Sequence, residues 1–181
     1  VSNIQIENPE ELEYGNGLFC ISNYIGDEYN TVLINTNNSN SITTVNLGEK
    51  ASQITFSDNQ FAIFCKSMIY LIRTDKPDLI NRSISLDFIP VNGTIIFVDN
   101  RVILIDKSPG TIRIYNPQDG EQTDEFTIGE EINRTVYGNY RLVLGHGSNF
   151  TILYLLDPAI ITTHSLGLET MLGAFYPGEY F

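Results

Sequence analysis

A repeat of about 40 residues constrains the fold of this chain more than any other feature of its sequence. Each copy contains a short strand, a tight turn and an apolar strand, as in "ITFSDNQFAIFC". The asparagine of this turn recurs at Asn16, Asn59, Asn100 and Asn139. Asparagine tolerates the left-handed backbone that a two-residue hairpin turn requires. The sequence therefore predicts four tight hairpins at a fixed spacing.

A second hairpin lies between these turns and has the same period. One copy is "TIRIYNPQDGEQTDEFTIGE", in which two strand-like runs flank a polar turn. The copies span residues 31–49, 68–87, 111–130 and 151–169. The tight hairpin and this second hairpin recur with the same spacing of about 40 residues, so each repeat contains four strands. No segment shows the apolar stripe of an amphipathic helix, so we expect almost no helix.

Four strands in about 40 residues are typical of one blade of a β-propeller. In one copy, strands A to D are "QITFSD", "FAIFC", "IYLIR" and "RSISL". Continuously apolar strands B and C fit the buried middle of a blade, and strand A would line a central channel. We therefore predict an all-β chain that forms a β-propeller of about four four-stranded blades. It would be a single domain at 1–181, with hairpin repeats near 16–58, 59–99, 100–138 and 139–178. A two-layer sandwich or jelly roll is the alternative, against which the fixed period argues.

The repeats also resemble known propeller families. "IRIYNPQDGE" resembles the strand-C motif of WD40-like repeats, with Tyr115 and Asn116 in place of Trp-Asp. "VNLGEKASQITFSDN" and "FTIGEEINRTVYGN" are more similar to YVTN/YncE-type and quinoprotein-like repeats, in which a glycine closing strand D precedes the next inner strand. The chain departs from WD40 repeats in having no tryptophan and no Gly-His pair ahead of strand A. The resemblance implies a propeller and says little about activity, because this fold has many functions.

The number of repeats raises the question of how the ring is completed. Four blades are the smallest propeller ring, and further D–A fragments precede and follow the repeats ("IQIENPEELEYG" and "SLGLETMLGAFYPG"). Because the chain begins with Val1, we expect either a processed mature chain or an excerpt of a longer one. Unclosed terminal blades would expose apolar faces and strand edges, which soluble proteins avoid. We expect the chain not to be a free monomer. It would pair with further blades of its own polypeptide or with another subunit.

Charge and cysteine content restrict the partners and the compartment. The net charge is −12 and the isoelectric point is about 4.4, so phosphate backbones would be repelled and we expect no nucleic-acid partner. No apolar run reaches the roughly 20 residues of a membrane span, so we expect no membrane insertion. Cys20 and Cys65 lie in strand-like segments and are expected to be buried and reduced. Asn-x-Ser/Thr triplets favour an extracellular setting and buried thiols a cytoplasmic one, and both remain open.

Known catalytic and ligand-binding motifs are missing from the sequence. It contains no phosphate-binding glycine loop, nucleophile elbow or zinc-binding motif, so we predict no catalytic residue, no cofactor and no metal site. His146 in "GHGSNF" has no acidic residue nearby in sequence to orient its ring. We interpret this segment as a B–C turn.

Loops at one end of the blades remain as the candidate functional surface. In a propeller the B–C and D–A loops lie on one face, and "YIGDEYN" is the longest and most tyrosine-rich of them. Tyrosine is a favoured interface anchor. The predicted partner-binding residues are Tyr24, Asp27, Glu28, Tyr29, Lys107 and His146. The leading prediction is a non-catalytic scaffold that binds other protein subunits. The alternatives are part of a propeller hydrolase or lyase, and a secreted structural or carbohydrate-binding protein.

Overall fold

Four antiparallel sheets follow one another along the chain. The computed structural model describes residues 6–25, 27–37, 41–155 and 161–165, which contain 16 strands and no helix. No helix that could cross a membrane occurs in this part of the chain. Each sheet has four strands, and they pair in chain order. The strands of the first two sheets are β1 (Pro9–Gly15), β2 (Leu18–Ile25), β3 (Glu28–Asn35), β4 (Ile42–Asn46), β5 (Ala51–Ser57), β6 (Gln60–Cys65), β7 (Met68–Arg73) and β8 (Arg82–Ser85). Those of the last two are β9 (Thr94–Val98), β10 (Arg101–Asp106), β11 (Thr111–Tyr115), β12 (Gln122–Thr127), β13 (Ile132–Gly138), β14 (Arg141–His146), β15 (Asn149–Tyr154) and β16 (Ile161–Ser165).

The tight turns between strands A and B have the conformation that the sequence predicts. Asn16, Asn59, Asn100 and Asn139 have φ values of 49°, 60°, 53° and 49°. The flanking residues of each turn pair directly, as Ser57 does with Gln60, so each turn has two residues. Positive φ at both central residues defines the turn type that matches the twist of a hairpin. The four asparagines therefore mark the A–B turns.

The core consists of side chains between successive sheets. Strands β6 and β10 are buried along nearly their whole length, as expected for strand B in the middle of a blade. Separate apolar clusters join the first sheet to the second, the second to the third and the third to the fourth. Among the A strands, β1 contacts β5 and β5 contacts β9, as neighbouring innermost strands of a propeller do. The all-β propeller prediction is confirmed.

The repeat units predicted from the sequence are offset from the sheets by one strand. Each unit runs from one A–B turn to the next, so it contains strands B, C and D of one sheet and strand A of the following sheet. The last unit, 139–178, ends outside the described residues. Most of the D–A fragment "SLGLETMLGAFYPG" also lies outside them.

Both cysteines are free and buried, on the B strands of adjacent sheets. Burial raises the pKa of the Cys20 thiol above its ordinary value, and the nearby charge of Glu13 adds to the effect. Burial, with a smaller contribution from Glu49, raises the pKa of Cys65 to about 12. A high pKa leaves little reactive thiolate at neutral pH. The prediction that both cysteines are buried is confirmed, and their reduced state stays a prediction.

Candidate partner-binding face

The hairpin of β2 and β3 extends beyond the other hairpins at the same end of the sheets. Both of its strands have 8 residues, whereas β6 and β7 have 6 each. Tyr24 and Tyr29 face each other across it, with ring centroids 4.9 Å apart. The Tyr24 hydroxyl donates a hydrogen bond of 3.2 Å to Asp27 Oδ1. Asp27 and Glu28 are exposed, so two partly buried aromatic rings lie beside two carboxylates.

Polar side chains anchor this hairpin to the segment that precedes β1. Asn23 Nδ2 donates to the carbonyl oxygen of Glu7 at 3.3 Å, and Asn8 Nδ2 donates to that of Tyr24 at 3.2 Å. Asn23 is buried, and among the described residues its Oδ1 atom has no hydrogen-bond partner. These bonds hold the tyrosine pair on the sheet.

His146 lies at the position of the fourth sheet that matches Asn23 in the first, at the end of strand B. Its Nδ1 atom is 3.0 Å from Glu130 Oε2 and its Nε2 atom is 2.9 Å from Thr151 Oγ1. Because a carboxylate only accepts, Nδ1–H donates to Glu130, and in the neutral imidazole Nε2 accepts from Thr151. Thr151 Oγ1 also lies 2.9 Å from Thr163 Oγ1. The chain of bonds thus joins the D–A segment to strands B, C and D.

The Lys107 turn packs on the same D–A segment. The Ile132 amide donates to the Lys107 carbonyl oxygen at 2.9 Å, and the Ile128 amide donates to that of Gly110 at 2.9 Å. Gly110 has φ +84°, and a Cβ atom there would lie 2.1 Å from the Glu130 carbonyl oxygen. Only glycine fits so close an approach.

A cavity of about 230 Å³ opens between the third and fourth sheets beside this network. Its apolar wall includes Ile112, Phe126 and Leu153, and its polar wall includes Glu130 and His146. Nowhere among the described residues do three or more His, Cys, Asp or Glu side chains group as they would around a metal ion.

The predicted site residues form two groups at the same end of the sheets. Tyr24, Asp27, Glu28 and Tyr29 share the first hairpin, which is exposed at its tip. Lys107 is partly buried, and His146 is buried. Their role in partner binding stays a prediction.

Sequence reasoning missed the acid that pairs with His146, because Glu130 is 16 residues away in the chain. One signal could have found it. Glu7, Glu49 and Glu130 each lie two residues before a strand A, and Glu49 likewise bonds within its own blade, accepting from the Ser67 amide at 2.9 Å. Glu49 and Glu130 thus occupy the same position and each bonds within its own blade, whereas the third blade has Asn92 there.

Comparison with known proteins supports the fold. No family model matches the sequence, and no curated protein matches it significantly. Among solved structures, apo AztD from Citrobacter koseri matches with a TM-score of 0.67 and 14% sequence identity. The match covers 91% of this chain and 49% of the AztD chain. The WD40 domain of Toxoplasma gondii coronin matches with a TM-score of 0.61 and 10% sequence identity, and the match covers 85% of this chain and 44% of the coronin chain. BBS1N in complex with ARL6DN matches with a TM-score of 0.60 and 14% sequence identity, and the match covers 82% of this chain and 49% of the matched chain.

These similarities identify the class of protein. The chain is a β-propeller repeat protein, with WD40 and other propeller structures among its structural neighbours. It spans about half the length of the solved structures that it matches. At such low identity the likeness shows the fold alone.

Proposed function

We propose that the chain is a non-catalytic propeller module that binds another protein through the β2–β3 hairpin. One observation carries this proposal: the paired rings of Tyr24 and Tyr29 at the end of the longest hairpin, 4.9 Å apart. Paired tyrosines offer a large rigid contact area at a small cost in side-chain entropy, while their hydroxyls remain available for hydrogen bonds.

The charge of the hairpin suggests the chemistry of the partner. Asp27 and Glu28 are exposed beside the rings, and the whole chain carries a net charge of −12. A partner surface with lysine or arginine would therefore be attracted, and an acidic one repelled. The structural neighbour BBS1N, solved in complex with ARL6DN, is a precedent for a propeller that binds another protein.

Site-specific photo-crosslinking tests the proposal. Tyr29 is replaced by p-benzoylphenylalanine and the protein is irradiated in an extract of its source cells. Tyr140 is the matched control, because it is an exposed tyrosine in the A–B turn at the opposite end of the strands. We expect one protein adduct from position 29, none from position 140, and loss of the adduct when Tyr24→Ala is added. Equal adducts from both positions, or none from position 29, would refute the proposal.

An enzyme is the second candidate, and one observation favours it. Beside the cavity, the His146 ring is hydrogen-bonded to the Glu130 carboxylate on one side and to the Thr151 hydroxyl on the other. Acid, imidazole and hydroxyl follow one another in the same order in a catalytic triad. A fluorophosphonate probe distinguishes the candidates, because it labels activated hydroxyl nucleophiles. Labelling of Thr151 that is lost in His146→Ala would support an enzyme. We expect no labelling, because Thr151 is buried and also hydrogen-bonded to Thr163.

A further inference from the structure

One face of the first sheet is apolar and is only partly covered by the described residues. This surface, called here the back face, contains Leu12, Tyr14, Phe19, Ile21, Val32, Ile34 and Ile42. Leu12 is 60% exposed and Phe19 is 36% exposed, whereas Ile21, Val32 and Ile34 are buried and pack with Ile6. Large exposed apolar patches mark interaction surfaces.

The corresponding face of the second sheet is buried. Leu12 pairs with Ile21 as Ile54 pairs with Ile63, so Leu12 and Ile54 occupy the same register position. Phe19 corresponds to Phe61 in the same way. Ile54 is only 6% exposed and Phe61 is 0% exposed, because the first sheet covers them. The back face therefore has the residue pattern of a blade–blade interface, but no sheet of the described residues packs on it.

The fourth sheet exposes the complementary face, called here the front face. Each of the first three sheets covers the next one with an apolar cross-strand pair from strands B and C: Cys20–Leu33, Ala62–Leu71 and Ile103–Ile114. All six of these side chains are buried. The fourth sheet has Val143 and Ile152 at this position, and both are only partly buried. Beside them Val136 is 41% exposed.

Within the described residues, no contact between the fourth sheet and the first accounts for these two faces. Among the described residues no apolar cluster joins the fourth sheet to the first, whereas clusters join every consecutive pair. The cluster of Ile21, Val32 and Ile34 on the back face gains only Ile6 as an additional apolar neighbour. In the part of the chain that the structure describes, neither end of the stack is therefore covered by a further sheet.

We infer that a second copy of this chain covers both ends of the stack. The front face of each copy would pack on the back face of the other. A head-to-tail contact forms a closed ring only when the rotation closes. Two copies give eight sheets, the upper end of the usual propeller range, whereas three would exceed it. The matched propellers are about twice as long as this chain, which is the length that two copies supply.

The mass of the 181-residue chain by light scattering, over a series of concentrations, tests the inference. We expect a particle of twice 20.4 kDa. Leu12→Asp on the back face and Val136→Asp on the front face should each reduce the mass by half. Leu79→Asp is the matched control, because Leu79 is 57% exposed in the loop between β7 and β8. It should leave the mass unchanged, and circular dichroism should show the same strand content in all variants.

Mixing the variants separates this arrangement from a symmetric one. A mixture of Leu12→Asp and Val136→Asp retains one intact back-to-front contact, so it should recover particles of the dimer mass at high concentration. A back-to-back dimer would instead be insensitive to Val136→Asp and would not be recovered by mixing. That result would overturn the inference. So would a monomer at every concentration, which would leave further blades of a longer polypeptide to cover the faces. The Tyr29 adduct does not depend on these variants, so failure here is distinguishable from failure of the proposed function.

Discussion

Alanine substitutions at Ile54 and Leu12 test how much a covered blade face stabilises the protein. The two residues have the same register position in β5 and β1, but Ile54 is 6% exposed and Leu12 is 60% exposed. Ile54→Ala removes a buried side chain and leaves a cavity, so the free energy of unfolding should fall by about 3 kcal/mol. Leu12 buries about two-fifths of its surface, and Leu12→Ala should cost about 1 kcal/mol or less.

Urea unfolding followed by circular dichroism measures both costs. At concentrations low enough to separate the two copies, the difference should be about 2 kcal/mol. At high concentration the second copy covers Leu12, so the cost of Leu12→Ala should rise while that of Ile54→Ala stays constant. Equal costs in dilute solution would refute the reasoning, because they would mean that the chain itself covers the back face.

Three further predictions concern other parts of the structure. Cys20 and Cys65 should react slowly with a thiol reagent at pH 8 and rapidly in urea, because raised pKa values keep the thiols protonated in the folded chain. Fast reaction of either thiol in the folded protein would contradict this prediction. Gly110→Ala should destabilise the protein much more than Gly48→Ala in urea unfolding, because both have positive φ but only Gly110 is in close contact with backbone; similar losses would disprove that contact. His146→Leu should lower the free energy of unfolding by about 1–3 kcal/mol, because it removes the hydrogen bonds of the buried ring to Glu130 and Thr151, and an unchanged urea midpoint would contradict the network.

The fold could be predicted because its signal is local and repeated. Each A–B turn consists of two residues, one of which is an asparagine with positive φ. Such a turn depends on local backbone conformation alone, so it can be recognised in a short stretch of sequence. The apolar B and C strands are likewise visible in short windows. Repetition of both features at one period was sufficient to predict four-stranded blades.

The site could be predicted only where it is local. Tyr24 and Tyr29 are five residues apart in one hairpin, so their pairing follows from the strand register. The bond between His146 and Glu130 crosses from strand B to the D–A segment, and its acid comes from a distant position. The open back face was also invisible in the sequence, because Phe19 and Phe61 occur in similar strands and differ only in what covers them.

Cross-strand nuclear Overhauser effects between backbone protons test the central claim, four consecutive blades, most directly. The account predicts that strand B of each sheet shows contacts to strands A and C of the same sheet, as Phe61 does to Phe56 and Ile72. It predicts no backbone pairing between strands of different sheets. Pairing of β4 or β8 with a strand of another sheet would contradict the account and would indicate a sandwich or jelly roll.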